Sequence, residues 1–271
     1  MKLLRMLTIL LTGLIGLPAA AGVPVLIVTA GGETRQFSAD ELLARHDAMT
    51  LAVPRDVAYS RATNYRAVPL QALLAALPPD TADTIEARAT DGFVSQLPRA
   101  LLEGAAVPWI AIEDPAHPWP ILPGKANSAG PFYLVWQDSE RAGISPEQWP
   151  YAVAALTAVA SPVHRWPTIA VDASAPANAP ERRGQAVFIV NCLPCHRLGG
   201  SGEGTAGPDL LRPMPATAYF TEAGLRALIR NSATVRTWPE QRMPAFDAET
   251  IGDTEINAVI AYLSDLAARP K

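Results

Sequence analysis

Cys192-Leu193-Pro194-Cys195-His196 places two thiols and an imidazole within five residues, and these are the only two cysteines of the chain. Covalent haem attachment requires this spacing. Each thiol adds to one haem vinyl group, and the adjacent histidine is then held where a ring nitrogen can ligate the iron. Read instead as a zinc half-site, a redox dithiol or a disulfide, the string falls short. A structural zinc site takes about four ligands, usually from two pairs, and no second Cys or Cys/His pair exists. A thioredoxin-like dithiol does not need the following histidine. The expected cofactor is one covalent haem c on Cys192 and Cys195, with His196 as an iron ligand.

Outward from the motif, 271 residues exceed the usual size of one domain, nearly half are apolar, and 26 are proline. Two modest domains of short elements joined by rigid connections are expected. The first 21 residues stand apart: Lys2 and Arg5 precede the apolar run Leu7 to Leu17, and Ala19-Ala20-Ala21 satisfies the small-residue rule for cleavage. This is the pattern of a secretory signal peptide cut near Ala21. The run is shorter than the roughly 20 residues needed to cross a bilayer. A retained anchor is therefore the weaker alternative. No later stretch could span a membrane, and no cysteine near the cleavage site could carry a lipid. The expected location is the periplasm. Without Lys2 and Arg5 the chain has 20 basic against 26 acidic residues, a balance of −6. Such an acidic chain is a poor nucleic-acid binder, and its charge suits docking to a basic redox partner as well as plain solubility.

Composition also divides the chain. Residues 167–180 are rich in Ala and Pro without an amphipathic pattern and read as a semi-rigid linker. They separate residues 22–166 from residues 181–271. The C-terminal part reads as helices around loops. Glu181 to Asn191 leads into the haem motif, and Gly184 permits close packing of another helix. Thr221 can cap a helix carrying Leu225, Leu228 and Ile229, with Asn231 as its stop. Asp253 is a candidate cap for a last helix in which Ile256, Val259, Ile260, Leu263 and Leu266 recur at helical spacing.

With Gly184 and Phe188, the haem motif, Gly207-Pro208-Asp209-Leu210, Met243-Pro244 and Ala261-Tyr262-Leu263, residues 181–271 resemble a class I cytochrome c domain. The resemblance implies that the Pro208 carbonyl orients His196 and that the first and last helices cross beside the haem. It also favours Met243, in Arg242-Met243-Pro244-Ala245-Phe246, as the sixth ligand, a soft thioether donor. Met214, 18 residues after His196, is the rival, with core packing as its expected role. Tyr262 and Trp238 are further candidate cofactor contacts, and Arg236 and Arg242 are candidates to meet a propionate. A Met/His pair fills both axial positions, which favours electron transfer over catalysis at the iron. Gly202-Glu203-Gly204-Thr205-Ala206-Gly207 spells a dinucleotide fingerprint but follows a helix and the haem motif rather than a strand. It reads as a haem-side loop.

The N-terminal part reads as mixed β and α, making the whole an α+β chain. Strands are expected at Val23 to Thr29, Thr84 to Ala89, Trp109 to Ile112 and Phe132 to Trp136. Helices are expected after the capping box Ser38-Ala39-Asp40-Glu41, from Pro69 through Leu77, and from Pro98 to before Gly104. Tyr65-Arg66-Ala67-Val68-Pro69-Leu70, Ala89-Thr90-Asp91-Gly92-Phe93 and Gly130-Pro131-Phe132-Tyr133-Leu134-Val135-Trp136 resemble parts of the sulfite-oxidase-like molybdopterin-binding domain. The resemblance implies that fold over roughly residues 23–166. The molybdenum enzymes of that superfamily use a cysteine thiolate on the metal, and this part has no cysteine. The balance is against molybdopterin. Arg61, Tyr65, Asp91, His117 and Lys125 could contribute to a site, with Trp109, Trp119 and Trp136 nearby in sequence. Turn, core and surface roles explain them better, and His46 and His164 read as surface residues.

The expectation is therefore an exported c-type cytochrome that passes single electrons between redox partner proteins, with the N-terminal domain docking a partner or ligand. Two alternatives stand beside it. One is a molybdopterin-dependent, sulfite-dehydrogenase-like oxidoreductase feeding its fused haem. The other is a non-catalytic redox-sensing or assembly module.

Overall fold

Strand β1 (Val25–Ala30) turns at Gly31-Gly32 into β2 (Glu33–Ser38), the first hairpin of a computed structural model that describes residues 24–239, 241 and 243–269. The expected signal peptide and Arg242 lie outside the described residues. Where β2 ends, the Ser38 hydroxyl accepts the Glu41 N–H (3.1 Å) and starts α1 (Ala39–Leu43). This cap satisfies one orphan donor of the first turn.

Two sheets make the N-terminal region. The second contains β3 (Met49–Val53), β4 (Thr63–Pro69), β7 (Val107–Ile112) and β8 (Phe132–Gln137), all antiparallel in the order β3-β4-β7-β8. The first adds β5 (Thr84–Ala89), β6 (Val94–Pro98) and β9 (Val153–Val159) to the opening hairpin, in the order β2-β1-β9-β5-β6. β9 runs parallel to β1 and antiparallel to β5, so it joins the start of the region to its middle. Leu26, Val28, Phe37, Leu70, Ile85, Leu134 and Leu156 belong to one fully buried cluster.

Pro69 and Pro98 do not open helices as first helical residues. Each is the last residue of a strand, paired with Trp109 and Thr84 respectively, and caps a short helix, α2 (Leu70–Leu74) and α3 (Arg99–Leu102). Their fixed φ suits extended backbone as well as a helix, and the sheet pairing selects the former. α2 accordingly ends at Leu74, short of the expected Leu77. α4 (Pro162–Arg165) follows β9.

The C-terminal region is helical: α5 (Pro180–Asn191), α6 (Ala216–Tyr219), α7 (Glu222–Val235) and α8 (Asp253–Ala268). α5 and α8 cross at Gly184, where a Cβ would collide with the Ala258 carbonyl and stand 2.8 Å from Tyr262 Cβ. One turn on, the rings of Phe188 and Tyr262 pack at 5.8 Å. Thr221 caps α7 as expected, accepting the Gly224 N–H (3.1 Å). Asn231 breaks that helix at φ −161°, but a further turn continues to Val235. Gly252, not Asp253, caps α8, and the Asp253 carboxylate instead accepts from Arg230 (2.7 Å).

The Ala/Pro-rich segment 167–180 is not a bare spacer. Ile169 and Val171 are buried with Phe188 and Tyr262. The Ile169 carbonyl accepts from Tyr262 Oη (2.6 Å) and Gln185 Nε2 (2.8 Å). Arg182 donates to the carbonyls of Asp172, Ala173 and Ala175. Apolar burial and backbone satisfaction thus fasten this segment to the helices, which composition alone does not reveal.

Candidate haem site

α5 ends in Asn191, and the chain turns at once through the motif. The Phe188 carbonyl accepts from both Cys192 N and Leu193 N (2.8 Å each), and the Cys192 carbonyl accepts from Cys195 N (3.1 Å) and His196 N (2.9 Å). Both thiols and the imidazole are thereby held on one tight turn. Pro208 supplies the next constraint: its carbonyl lies 2.8 Å from His196 Nδ1. A carbonyl only accepts, so Nδ1 carries the proton and the Nε2 lone pair is left for a metal. Burial holds His196 below the usual imidazole range, and the Pro208 bond opposes that only in part, so the ring is neutral at neutral pH.

The three fingerprint glycines serve close approach. A Cβ at Gly207 would come within 2.5 Å of His196 Cε1, and one at Gly204 would stand 2.7 Å from the Cys195 carbonyl carbon. No strand precedes them among the described residues of this loop, so the phosphate-binding context is missing. The loop beyond is knotted by Asp209, whose carboxylate accepts N–H bonds from Gly199 (2.8 Å), Gly200 (2.6 Å), Leu211 (2.9 Å) and Arg212 (3.1 Å). Burial would raise its pKa, but these four donors outweigh it and hold the carboxyl below the ordinary range. Asp209 therefore fixes the loop that presents Pro208.

Burial, reinforced by the Glu147 charge, pushes both thiols up, Cys195 to about 12 and Cys192 further. Catalytic dithiols and thiolate metal sites are shifted in the opposite direction. Two thiols and a tethered imidazole on one turn fit a covalently attached haem, with Cys192, Cys195 and His196 as the residues that would hold it. A family match over the same residues, alongside this local fit and the helix crossing, decides what the C-terminal region is. It carries a cytochrome c domain. Residues 179–263 match the family described as cytochrome C oxidase, cbb3-type, subunit III, under a third of the chain. No curated protein matches the chain.

Within the cytochrome c domain, Met243 packs against a cluster containing Leu225, Phe246 and Ile256, and its carbonyl accepts from Ser232 Oγ (3.1 Å). Arg230 pins the same loop through the carbonyls of Phe246 (2.7 Å) and Ile251 (2.8 Å). Met214 is 48 % exposed and does not pack in a core as expected. It sits between Pro213 and Pro215 on a surface loop. Trp238 is likewise exposed, at 47 %. Tyr262 is buried at the α5/α8 crossing, with its hydroxyl committed to Ile169.

The N-terminal candidates do not form one cluster, although Asp91 and Lys125 line a common cavity beside Cys195. Tyr65 is buried, donating to the buried Asp56 (2.8 Å), with its ring edge-on to Trp119. Trp109 and Trp136 are core, whereas Arg61, Lys125 and His117 are exposed. His117 pairs locally with Asp114 (2.9 Å), and His46 and His164 lie at the surface as expected. No group of three or more His, Cys, Asp or Glu side chains suited to a metal occurs among the described residues, nor does any helix there have the length and apolarity to cross a membrane.

The two regions meet at the haem motif itself. The Pro194 carbonyl, between the two cysteines, accepts from Val94 N on β6 (3.0 Å). Ser145 Oγ donates to Asn191 Oδ1 (2.6 Å), and Arg88 reaches Glu203 (3.4 Å). Beside this seam lies a cavity of about 350 Å³, walled by Cys195, Ala206 and Pro244 on one side and by Asp91, Glu147 and Trp149 on the other. Glu147 was invisible as a site residue in the sequence. It stands in Ser145-Pro146-Glu147-Gln148, an ordinary capping box.

Proposed function

We propose that the chain is an exported, periplasmic c-type cytochrome in which Cys192 and Cys195 carry one covalent haem and His196 and Met243 ligate its iron. A haem held by these residues would supply a one-electron couple. The protein's residues do the positioning. Pro208 fixes the His196 tautomer, Asp209 fixes Pro208, and Arg230 holds the Met243 loop. The rigid ligand set keeps rearrangement between oxidation states small, which suits a carrier serving donor and acceptor proteins. The His196–Pro208 bond, beside two thiols on the same turn, is the observation that carries this reading.

The N-terminal region acts in this reading as the module that docks a partner or ligand. The hydrogen bond from Val94 to Pro194 supports it, because it ties the region directly to the attachment turn. Both cysteines belong to that turn, so the sulfite-oxidase-like resemblance of residues 23–166 comes without the thiolate that a molybdenum centre would use.

The test is a full-length Cys192→Ser, Cys195→Ser double variant expressed with export and haem-attachment machinery. Wild-type protein should keep a haem-stained band under denaturing conditions and titrate as a single one-electron couple, and the variant should lose the band. A retained band in the variant, or none in the wild type, contradicts the reading. Recovery of mature protein beginning near residue 22 in a periplasmic extract checks the export step, and retention of the leader on a membrane contradicts it.

A further inference from the structure

Among the described residues, Glu147 is the one carboxylic acid that the seam brings against the attachment turn without giving it a partner. Its residue is half-buried, in the 3₁₀ turn Pro146–Gln148, with its backbone tied down: Ser95 Oγ donates to the Glu147 carbonyl (2.9 Å). The neighbouring Ser145 is bonded to Asn191, the last residue of α5. The turn cannot easily swing away. Yet among the described residues the Glu147 carboxyl group makes no hydrogen bond and no ion pair, and its negative charge is felt by both Cys192 and Cys195.

We propose that Glu147 is the proton-binding site coupled to the electron carried at the Cys192–His196 turn. The step balances simply. One electron arrives from a one-electron donor protein, one proton moves from solvent onto the Glu147 carboxylate, and a single O–H bond forms; oxidation by the acceptor reverses both. The inference rests on the electron-transfer reading above and adds a proton to it.

Three observations support it. An electron added beside a carboxylate disfavours its charged form, and by linkage a protonated carboxyl favours the reduced state. The cavity is lined by Glu147 together with Cys195 and Pro244, the residue after Met243. Burial in the seam, with no compensating donor, pushes Glu147 up to about 7.

The other titratable groups on the cavity are Asp91, Lys125 and Tyr151, besides the two thiols that would be consumed in attachment. Asp91 is exposed and its carboxylate already accepts the Phe93 N–H (3.1 Å). Lys125 is exposed, and its charge does not reverse the sign of the coupling.

The experiment is a spectroelectrochemical titration of full-length, haem-loaded protein between about pH 5 and about pH 9. The wild-type midpoint potential should fall as pH rises through the neutral range, and Glu147→Gln should remove the fall while keeping covalent haem. Asp91→Asn and Lys125→Gln should keep it. A flat wild-type profile, a fall that persists in Glu147→Gln, or a fall lost only in Asp91→Asn overturns the proposal. If Glu147→Gln does not load haem, the wild-type redox infrared difference spectrum decides. A protonated-carboxyl C=O band should be gained on reduction, and its absence overturns the proposal. Haem-free wild-type protein overturns the electron-transfer reading as well, whereas a flat profile in haem-loaded protein overturns this inference alone.

Discussion

Gly184→Ala tests how tightly α5 and α8 cross. A Cβ at this position collides with the Ala258 carbonyl and sits 2.8 Å from Tyr262 Cβ. The obstacle is backbone, so no rotamer change relieves it, and the helices must separate. Forcing a methyl into a packed interface costs about 1–3 kcal/mol. Replacing glycine by alanine inside a helix returns about 1 kcal/mol. Separation also loosens the Phe188–Tyr262 contact and the Tyr262 bond to Ile169, which places the cost at the upper end of its range. The net expectation is a destabilisation of about 2 kcal/mol, or a Tm fall of about 8–16 °C for a cooperative unit of about 90 residues. Melting of haem-loaded wild type and variant, followed by far-ultraviolet circular dichroism, measures it. A Tm that is unchanged or raised would show that the crossing has room for a methyl group and refute the reasoning.

Asp209→Asn removes the charge that gathers four N–H donors and should cost about 1–3 kcal/mol by denaturant titration. The folded-state pKa of Asp209 is depressed, so its contribution is present above the unfolded carboxyl value of about 4 and is lost as pH falls through the folded value. The acid limb of the stability profile should therefore be shallower in the variant, and an unchanged limb contradicts this. Met243→Ala should abolish the weak methionine-to-iron absorption band at the red end of the spectrum, and Met214→Ala should leave it intact; the reverse pattern would reassign the ligand. Removing the Arg88–Glu203 pair across the seam should change stability by less than about 1 kcal/mol, because both side chains are some 40 % exposed, and a larger loss would show that the seam depends on it.

Much of the C-terminal region was legible because its chemistry is local. Covalent attachment needs both thiols and the imidazole on one turn, and Ile256, Val259, Ile260 and Leu263 repeat at the helical period. Thr221 showed its cap, and β5, β7 and β8 showed themselves through alternation or dense apolar runs. β2 did not, since four of its six residues are exposed and it lies at a sheet edge. β9 is recruited beside β1 from more than a hundred residues away, a pairing no local pattern encodes. Ile169 and Val171 were hidden in Ala/Pro-rich sequence and gain meaning only against Phe188 and Tyr262. Met214 looked like a core residue by type, yet the flanking prolines hold it at the surface. Glu147 could not be singled out because its significance is the turn it faces, 45 residues further along the chain.

The central claim, that Cys192 and Cys195 both end in thioether bonds to one haem, is tested most directly by intact-mass measurement of the denatured wild-type protein with thiol titration. The account predicts a polypeptide heavier by one haem with no free thiol. An unmodified polypeptide with two titratable thiols would contradict it.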